Sequence, residues 1–349
     1  MFNPSSVSRV VVRAPNWLGD VVMSLPAVRA VRRIFSHAEL TVVARPSVAA
    51  LYETESAVNR VIPYPARAFS EKRAFAAKLR AERFDCAILL QNAFDAALLA
   101  WMAHIPERIG YNRDGRGLLL TRAIPVPEPG EIPRHERFYY LELLRRAGLM
   151  EHFSDLGPIR LDGIEAARAA GQRRLAESGI RGPVIGISPG AAYGSAKRWL
   201  PERFADTAGR LGGTALLFGS AAERELCAQV ASRLSGSRNL AGETTLPEFV
   251  SLAAACRFFL TNDSGAMHVA SALGVPTLAV FGATDDTTTG PTGPLARVLR
   301  QHAECSPCLL RECPIDHRCM TRVTVEAAAS AASQLWEESA ATWIHDEKF

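Results

Sequence analysis

The sequence lacks any run of about 18 apolar residues, so none of its 349 residues reads as part of a membrane-spanning helix. Its first segment, MFNPSSVSRVVVRAPNW, has only a short apolar stretch and no cleavage site of the secretory kind, so it reads as a first strand. Neither sign of charge dominates: 40 Lys and Arg against 36 Asp and Glu leave a net charge of +4, too small to argue for nucleic acid. Seven cysteines in a long chain with no visible export signal imply reduced thiols in the cytoplasm. No Gly-x-Gly-x-x-Gly fingerprint follows the first strand, which removes the main support for a nicotinamide or flavin enzyme. No Asp-x-Asp pair stands in a convincing loop, which favours metal-free chemistry.

What is present fits an ordinary globular protein, 48% hydrophobic and 22% charged. Its length exceeds what one core usually serves, so two domains are expected. In the first half, strand patterns at residues 9–14, 40–44, 61–64 and 85–90 are joined by helical patterns at 20–35, 69–81 and 93–103. The second half repeats the plan, with strands at 184–188, 215–218, 258–261 and 277–281 and helices at 201–211, 221–234, 246–255 and 264–273. The polar stretch 155–182 is the expected linker and connecting helix. Alternating strands and helices predict an α/β protein of two Rossmann-like, doubly wound domains facing across a cleft, with ligands outside the carboxyl ends of the strands.

Three strand-to-helix turns fall there. Residues 261–268 contain Asn262, Asp263, Ser264, Gly265 and His268. Asp263 stands where an N-cap belongs; Gly265 lets a ligand approach the backbone, and the helix start favours an anion. Ser264 and His268 are four residues apart, on one helical face. A carboxylate aimed at a diphosphate repels it, so Asp263 is expected to cap the helix while Ser264 and backbone amides meet phosphate. An ordinary capped helix with a solvated histidine is the bland alternative. The loop 188–199 is rich in small residues and carries Lys197 and Arg198, cations suited to phosphate charge; a surface loop anchored by Trp199 is the alternative. The loop 14–20 ends on Asp20, placed either to take a proton from an acceptor hydroxyl or simply to cap a helix.

Cys305, Cys308, Cys313 and Cys319, with His302 and His317 nearby, occupy an irregular stretch. Structural zinc and a thiol-rich loop without metal both remain open; a catalytic zinc lacks an adjacent base. Cys86, Cys227 and Cys256 read as small buried hydrophobes.

Asn16-Trp17-Leu18-Gly19-Asp20, Pro189-Gly190-Ala191 through Ala196-Lys197-Arg198-Trp199, Phe218-Gly219-Ser220, Asn239-Leu240-Ala241-Gly242 and residues 261–268 together resemble the lipopolysaccharide heptosyltransferases of glycosyltransferase family nine. The cysteine cluster looks like one found in a subgroup of that family. The likeness covers nearly the whole chain in the same order. It implies the GT-B fold, with an acceptor-binding domain at 1–165 and an ADP-heptose-binding domain at 166–349. A C-terminal helix at about 324–340 is expected to pack back on the first domain. It implies inverting, metal-independent transfer of L-glycero-D-manno-heptose from ADP-heptose to the first heptose of the inner core. Carried over by position, Asp20 is the base, Lys197 the diphosphate cation, and Asp263, Ser264, Gly265 and His268 the phosphate turn. Glu223 meets the ribose, with a helix-start carboxylate as the alternative, and Thr244 lies near adenine. Where related enzymes carry paired threonines, this chain has Ala192 and Tyr193, which leaves phosphate contacts there to backbone amides. The implied partner is a lipid A–inner-core glycolipid at the inner face of the bacterial inner membrane, touched peripherally, with no nucleic acid. Arg67, Lys72, Arg73, Arg113, Arg116 and Arg134 are candidate acceptor cations. Transfer to another core position, a sugar-nucleotide epimerase of the same fold and a non-catalytic nucleotide-binding scaffold are the other readings.

Overall fold

The computed structural model describes residues 3–65, 68–153 and 157–346, with side chains of the last helix described up to residue 339. Arg67 and Asp155, the latter at the start of the expected linker, lie outside the described residues. The chain divides into two compact units, Met1–Asp162 and Gly163–Phe349.

The first unit runs β1 (Arg9–Arg13), α1 (Leu18–Ile34), β2 (Glu39–Ala44), α2 (Pro46–Glu53), β3 (Arg60–Pro63), α3 (Phe69–Ala81), β4 (Cys86–Leu89), α4 (Phe94–Met102), β5 (Glu107–Tyr111), β6 (Arg122–Ile124) and α5 (Glu136–Arg146). Val10, Val11 and Val12 of β1 are all buried, so both faces of the strand are covered. That is the signature of a central strand in a parallel sheet. The six parallel strands lie in the order β3-β2-β1-β4-β5-β6. The chain therefore winds one way from β1 and then the other, and the reversal point lies between β1 and β4.

The second unit opens with α6 (Ile164–Glu177), the expected connecting helix, and continues β7 (Val184–Ser188), α7 (Pro201–Leu211), β8 (Thr214–Leu217), α8 (Arg224–Ala231), β9 (Arg238–Asn239) and α9 (Leu246–Ala254). It closes with β10 (Phe258–Asn262), α10 (Gly265–Ala272), β11 (Thr277–Phe281), α11 (Asp286–Thr289), β12 (Ala296–Arg300), α12 (Arg318–Thr321) and α13 (Val325–Asp346). Its sheet order, β12-β11-β10-β7-β8-β9, repeats the first winding strand for strand, with the reversal between β7 and β10. The core gathers Ile185, Ile187, Trp199, Phe204, Phe258 and Leu260. Trp199 is 1% exposed and its Nε1 donates to the Val323 carbonyl at 3.0 Å, so the ring is an anchor. Over its described side chains α13 packs on α7 and β11, with Trp336 set 6.3 Å from the Phe258 ring.

The elements invisible to periodicity are short or charged. β5 and β12 carry arginines among their apolar residues, and β9 is two residues long; sheet neighbours, not local pattern, hold them. The helix expected at 221–234 starts as a tight turn at Ala221–Glu223, where Glu223 reaches back to the Ser220 amide at 2.8 Å.

α6 docks on α9 through Gly171, where an added Cβ would lie 2.0 Å from the Ser251 carbonyl oxygen. Gly171→Ala is therefore expected to destabilise by about 1–3 kcal/mol through overpacking, despite alanine's better helix propensity. Denaturant unfolding checks this; a gain in stability would show that the two helices are not in close contact.

Candidate functional site

The site of the second unit forms at its reversal point. β7 runs out through Ser188, Pro189 and Gly190, while β10 runs out through Asn262 into α10. Asn262 is fully buried and ties the two exits together. Its Nδ2 donates to the Pro189 carbonyl at 2.7 Å, and its Oδ1 accepts from the Trp199 amide at 2.9 Å. A buried amide with donor and acceptor both engaged fixes the loop between them.

Ser264, not Asp263, is the N-cap of α10; its hydroxyl accepts from the Met267 amide at 3.4 Å. Asp263 does not cap because its carboxylate is turned to other partners. Oδ2 accepts from Lys197 Nζ at 2.6 Å and from Thr284 Oγ1 at 2.6 Å. The ion pair is well shielded, with Lys197 12% and Asp263 4% exposed over their side chains. Lys197 is thus held beside the start of α10, where the backbone amides already favour an anion. His268 is buried within the same helix.

Tyr193 lies under this lysine, with Nζ 4.9 Å from its ring centroid. Its hydroxyl donates to the Leu309 carbonyl at 2.8 Å. The cysteine-rich segment supports the loop elsewhere too. The Ala196 amide donates to Arg311 O at 3.0 Å, and a Cβ on Gly194 would lie 2.1 Å from that oxygen. His317 Nε2 lies 3.0 Å from the Ala196 carbonyl. Cys305 is exposed, Cys308 and Cys313 are half-buried, and Cys319 is buried. Burial first, then the charges of the other three cysteines, push the Cys319 thiol up. Among the described residues no group of three or more His, Cys, Asp and Glu side chains could hold a metal ion. In the structure this segment braces the Lys197 loop.

Glu223 closes the other side of the loop. Its Oε2 accepts from the amide and hydroxyl of Ser220, both at 2.8 Å. Its Oε1 would meet a Cβ on Gly190 at 2.0 Å, so only glycine lets the carboxylate lie there. The Gly242 amide donates to Gly219 O at 2.9 Å, which draws the loop after β9 to the loop after β8. Thr244 is half-buried beside Thr245, the N-cap of α9.

In the first unit α1 starts earlier than expected. Trp17 is the N-cap and Asp20 lies inside the first turn, so Asp20 is not the cap. A carboxylate in that turn is favoured by the helix dipole. Its charge reaches Tyr52, Tyr140 and Glu136. Burial, then the charge of Asp20, raises the Glu136 carboxyl to about 7. Sequence reasoning missed this neighbour because only the packing of α5 on α1 brings it to Asp20. It missed Thr284 because only the adjacency of β10 and β11 brings it to Asp263.

The candidate acceptor cations divide. Arg116 is fully buried and spends its donors on Tyr111 O at 2.8 Å, Asn92 Oδ1 at 3.3 Å and the Gln91 carbonyl, so it is a structural clamp. Lys72 pairs with Asp95 at 2.6 Å and Arg113 with Asp114 at 3.5 Å. Arg73 is exposed, and Arg134 has a partner of its own.

Two doubly wound units, one presenting a lysine and a helix start at its reversal point, define an α/β glycosyltransferase of the GT-B kind. The chain belongs to glycosyltransferase family 9, the heptosyltransferases, whose family model matches residues 72–318. It is 34% identical over 308 residues to lipopolysaccharide heptosyltransferase 2 of Salmonella typhimurium, covering 84% of this chain and 88% of that one. The Escherichia coli lipopolysaccharide heptosyltransferase 2 is likewise 34% identical over 308 residues, with the same coverage. Among solved structures, E. coli ADP-heptose lps heptosyltransferase II matches with a TM-score of 0.82 at 31% identity, over 95% of this chain and 99% of that one.

Lys197→Ala strands a buried Asp263 and is expected to cost about 3 kcal/mol of stability. Adding Asp263→Asn should recover part of that loss; a double variant no more stable than the single one would mean that the pair is not coupled. Glu136 adds a pH dependence. Its folded pKa is raised, so its contribution is fully present below about pH 4.5 and is lost as pH rises through about 7. Glu136→Gln should therefore gain stability relative to the parent chain across that window, by thermal melts at several pH values; a constant difference contradicts the assignment.

Proposed function

We propose that this enzyme is a heptosyltransferase II, transferring L-glycero-D-manno-heptose from ADP-heptose to the first heptose of the lipopolysaccharide inner core. The observation that carries the reading is Lys197, held by Asp263 at the start of α10, on a chain about one-third identical to heptosyltransferases 2 through both units. A leaving nucleoside diphosphate gathers negative charge on its bridging oxygen. Lys197 and the first amides of α10 are preorganised to receive that charge without metal.

In this reading Asp20 takes the proton from the acceptor hydroxyl as its oxygen bonds to the anomeric carbon and the bond to ADP breaks. Attack opposite the leaving group inverts the centre. Asp263 orients Lys197 rather than touching donor, and Ser264 caps α10 at the Met267 amide, which leaves the first amides of the helix to the diphosphate. Glu223 offers Oε1 to the ribose hydroxyls across the Cβ-free face of Gly190, and Thr244 borders the base. The acceptor is a lipid A–inner-core glycolipid met at the membrane surface; no helix among the described residues is long and apolar enough to cross a membrane.

A transfer assay offering ADP-heptose with acceptors bearing no heptose or one heptose tests the reading. The one-heptose acceptor should be extended, and donor alone should yield no isomer. Asp20→Asn should lower turnover by about two orders of magnitude or more while ADP still binds. Near-parental turnover would remove Asp20 from the chemistry, and extension of the heptose-free acceptor would change the position assigned.

A further inference from the structure

The reversal point of the first unit holds a cavity of about 690 Å³. It opens where β1, β2, β3 and β4 end, the position at which doubly wound sheets bind ligands. Arg13, Arg45, Tyr64, Lys72 and Asp95 line it. Their charges do not cancel. Asp95 is occupied by Lys72 Nζ at 2.6 Å and by the Tyr64 hydroxyl at 3.1 Å. Two arginines remain.

Arg13 is 4% exposed, yet no carboxylate among the described residues forms an ion pair with it. Its Nη1 donates to the carbonyls of Ala14 at 2.8 Å and Val43 at 3.3 Å, and its Nη2 to Asn16 Oδ1 at 3.2 Å. All three acceptors are neutral, and Nε has no partner. The guanidinium lies 5.1 Å from the Tyr64 ring centroid and feels the Asp95 charge only at a distance. A buried guanidinium with an orphaned donor and no carboxylate in direct contact is costly and calls for an explanation. Burial lowers its pKa to about 10, against the opposing effect of Tyr64 and Asp95, and the like charge of Arg45 adds to the lowering. Arg45 is exposed and likewise has no carboxylate partner among the described residues. It is also the N-cap residue of α2, without a side-chain cap bond, and Ser47 of that helix lines the same cavity.

We infer that this cavity is an oxyanion site that seats an acidic substituent of the acceptor saccharide, a phosphate monoester or a sugar carboxylate, through Arg13 and Arg45. The inference rests on the proposed transferase reading for the identity of its ligand, but the site itself is tested without transfer. An anion there supplies the direct anionic partner that Arg13 lacks. Two guanidinium groups match the planar, bidentate geometry of such groups. Lys72 is held at the wall by Asp95.

Two measurements on the full chain decide it. Calorimetric titration with inorganic phosphate should show binding that Arg45→Gln weakens by about tenfold, the loss of one charge-assisted contact. Arg45 is exposed, so this variant keeps the fold; Arg13→Lys, checked by its melting curve, is the second probe and should weaken binding as well. In the transfer assay Arg45→Gln should raise KM for the acidic acceptor by about tenfold and leave KM for ADP-heptose unchanged. Phosphatase-treated and carboxyl-reduced acceptors then identify the source: the group whose removal raises KM in the parent chain, and abolishes the difference between parent and variant, is the one bound. Unchanged phosphate binding in both variants, or an effect confined to donor KM, overturns the inference while leaving the proposed transfer intact. Absence of transfer by the parent chain overturns the transferase reading and leaves the phosphate titration standing.

Discussion

The contact between Lys197 and Asp263 sets the second unit's site. A lysine at the end of a flexible four-carbon stem is a poor preorganised cation by itself, because its rotamer entropy must be lost when it meets a ligand. Here a carboxylate with 4% side-chain exposure holds it at 2.6 Å before any ligand arrives. That carboxylate is itself fixed by Thr284 from the next strand exit. Tyr193 supports the lysine from below, and the cysteine-rich segment holds Tyr193. Three separate stretches of chain therefore converge on one ammonium group.

The two units use the same winding for opposite charge problems. In the second, Lys197 is paired with its own aspartate beside the start of α10. In the first, Arg13 and Arg45 are left without carboxylate partners and Asp95 serves Lys72 instead. The same topological reversal brings the functional loops together in both, because adjacent loops leave in opposite directions there. Which ligand each accepts is decided by side chains at strand ends, a few residues in each unit.

Much of this was legible in the sequence. Alternating buried strands and amphipathic helices gave the doubly wound class, and the loops at 14–20, 188–199 and 261–268 were recognisable as strand exits. Lys197 and Ser264 stand out as candidates from their places in those loops, whereas Glu223 is a candidate only through the family resemblance. Other features resisted local reading. Asp263 looks like an N-cap by position, yet its carboxylate turns to a lysine far off in the chain. Arg116 looks like a surface cation, yet its guanidinium is spent on buried carbonyls. Arg13 looks like the polar end of a strand, yet it is almost wholly buried.

By itself, then, the sequence determined the periodicities, the positions of the turns and the residue types available at each, because these depend on neighbours within one or two helical turns. The tertiary structure alone decided which of those residues meet. Strand order placed Thr284 beside Asp263, Asn262 beside Pro189, and Arg45 near Arg13. The physical reason is that ion pairs and buried hydrogen bonds act over a few ångströms, while the groups that form them are separated by tens of residues along the chain. Only the folding of the sheet brings such groups into range, and only then does a lysine, an aspartate or an arginine acquire a particular role.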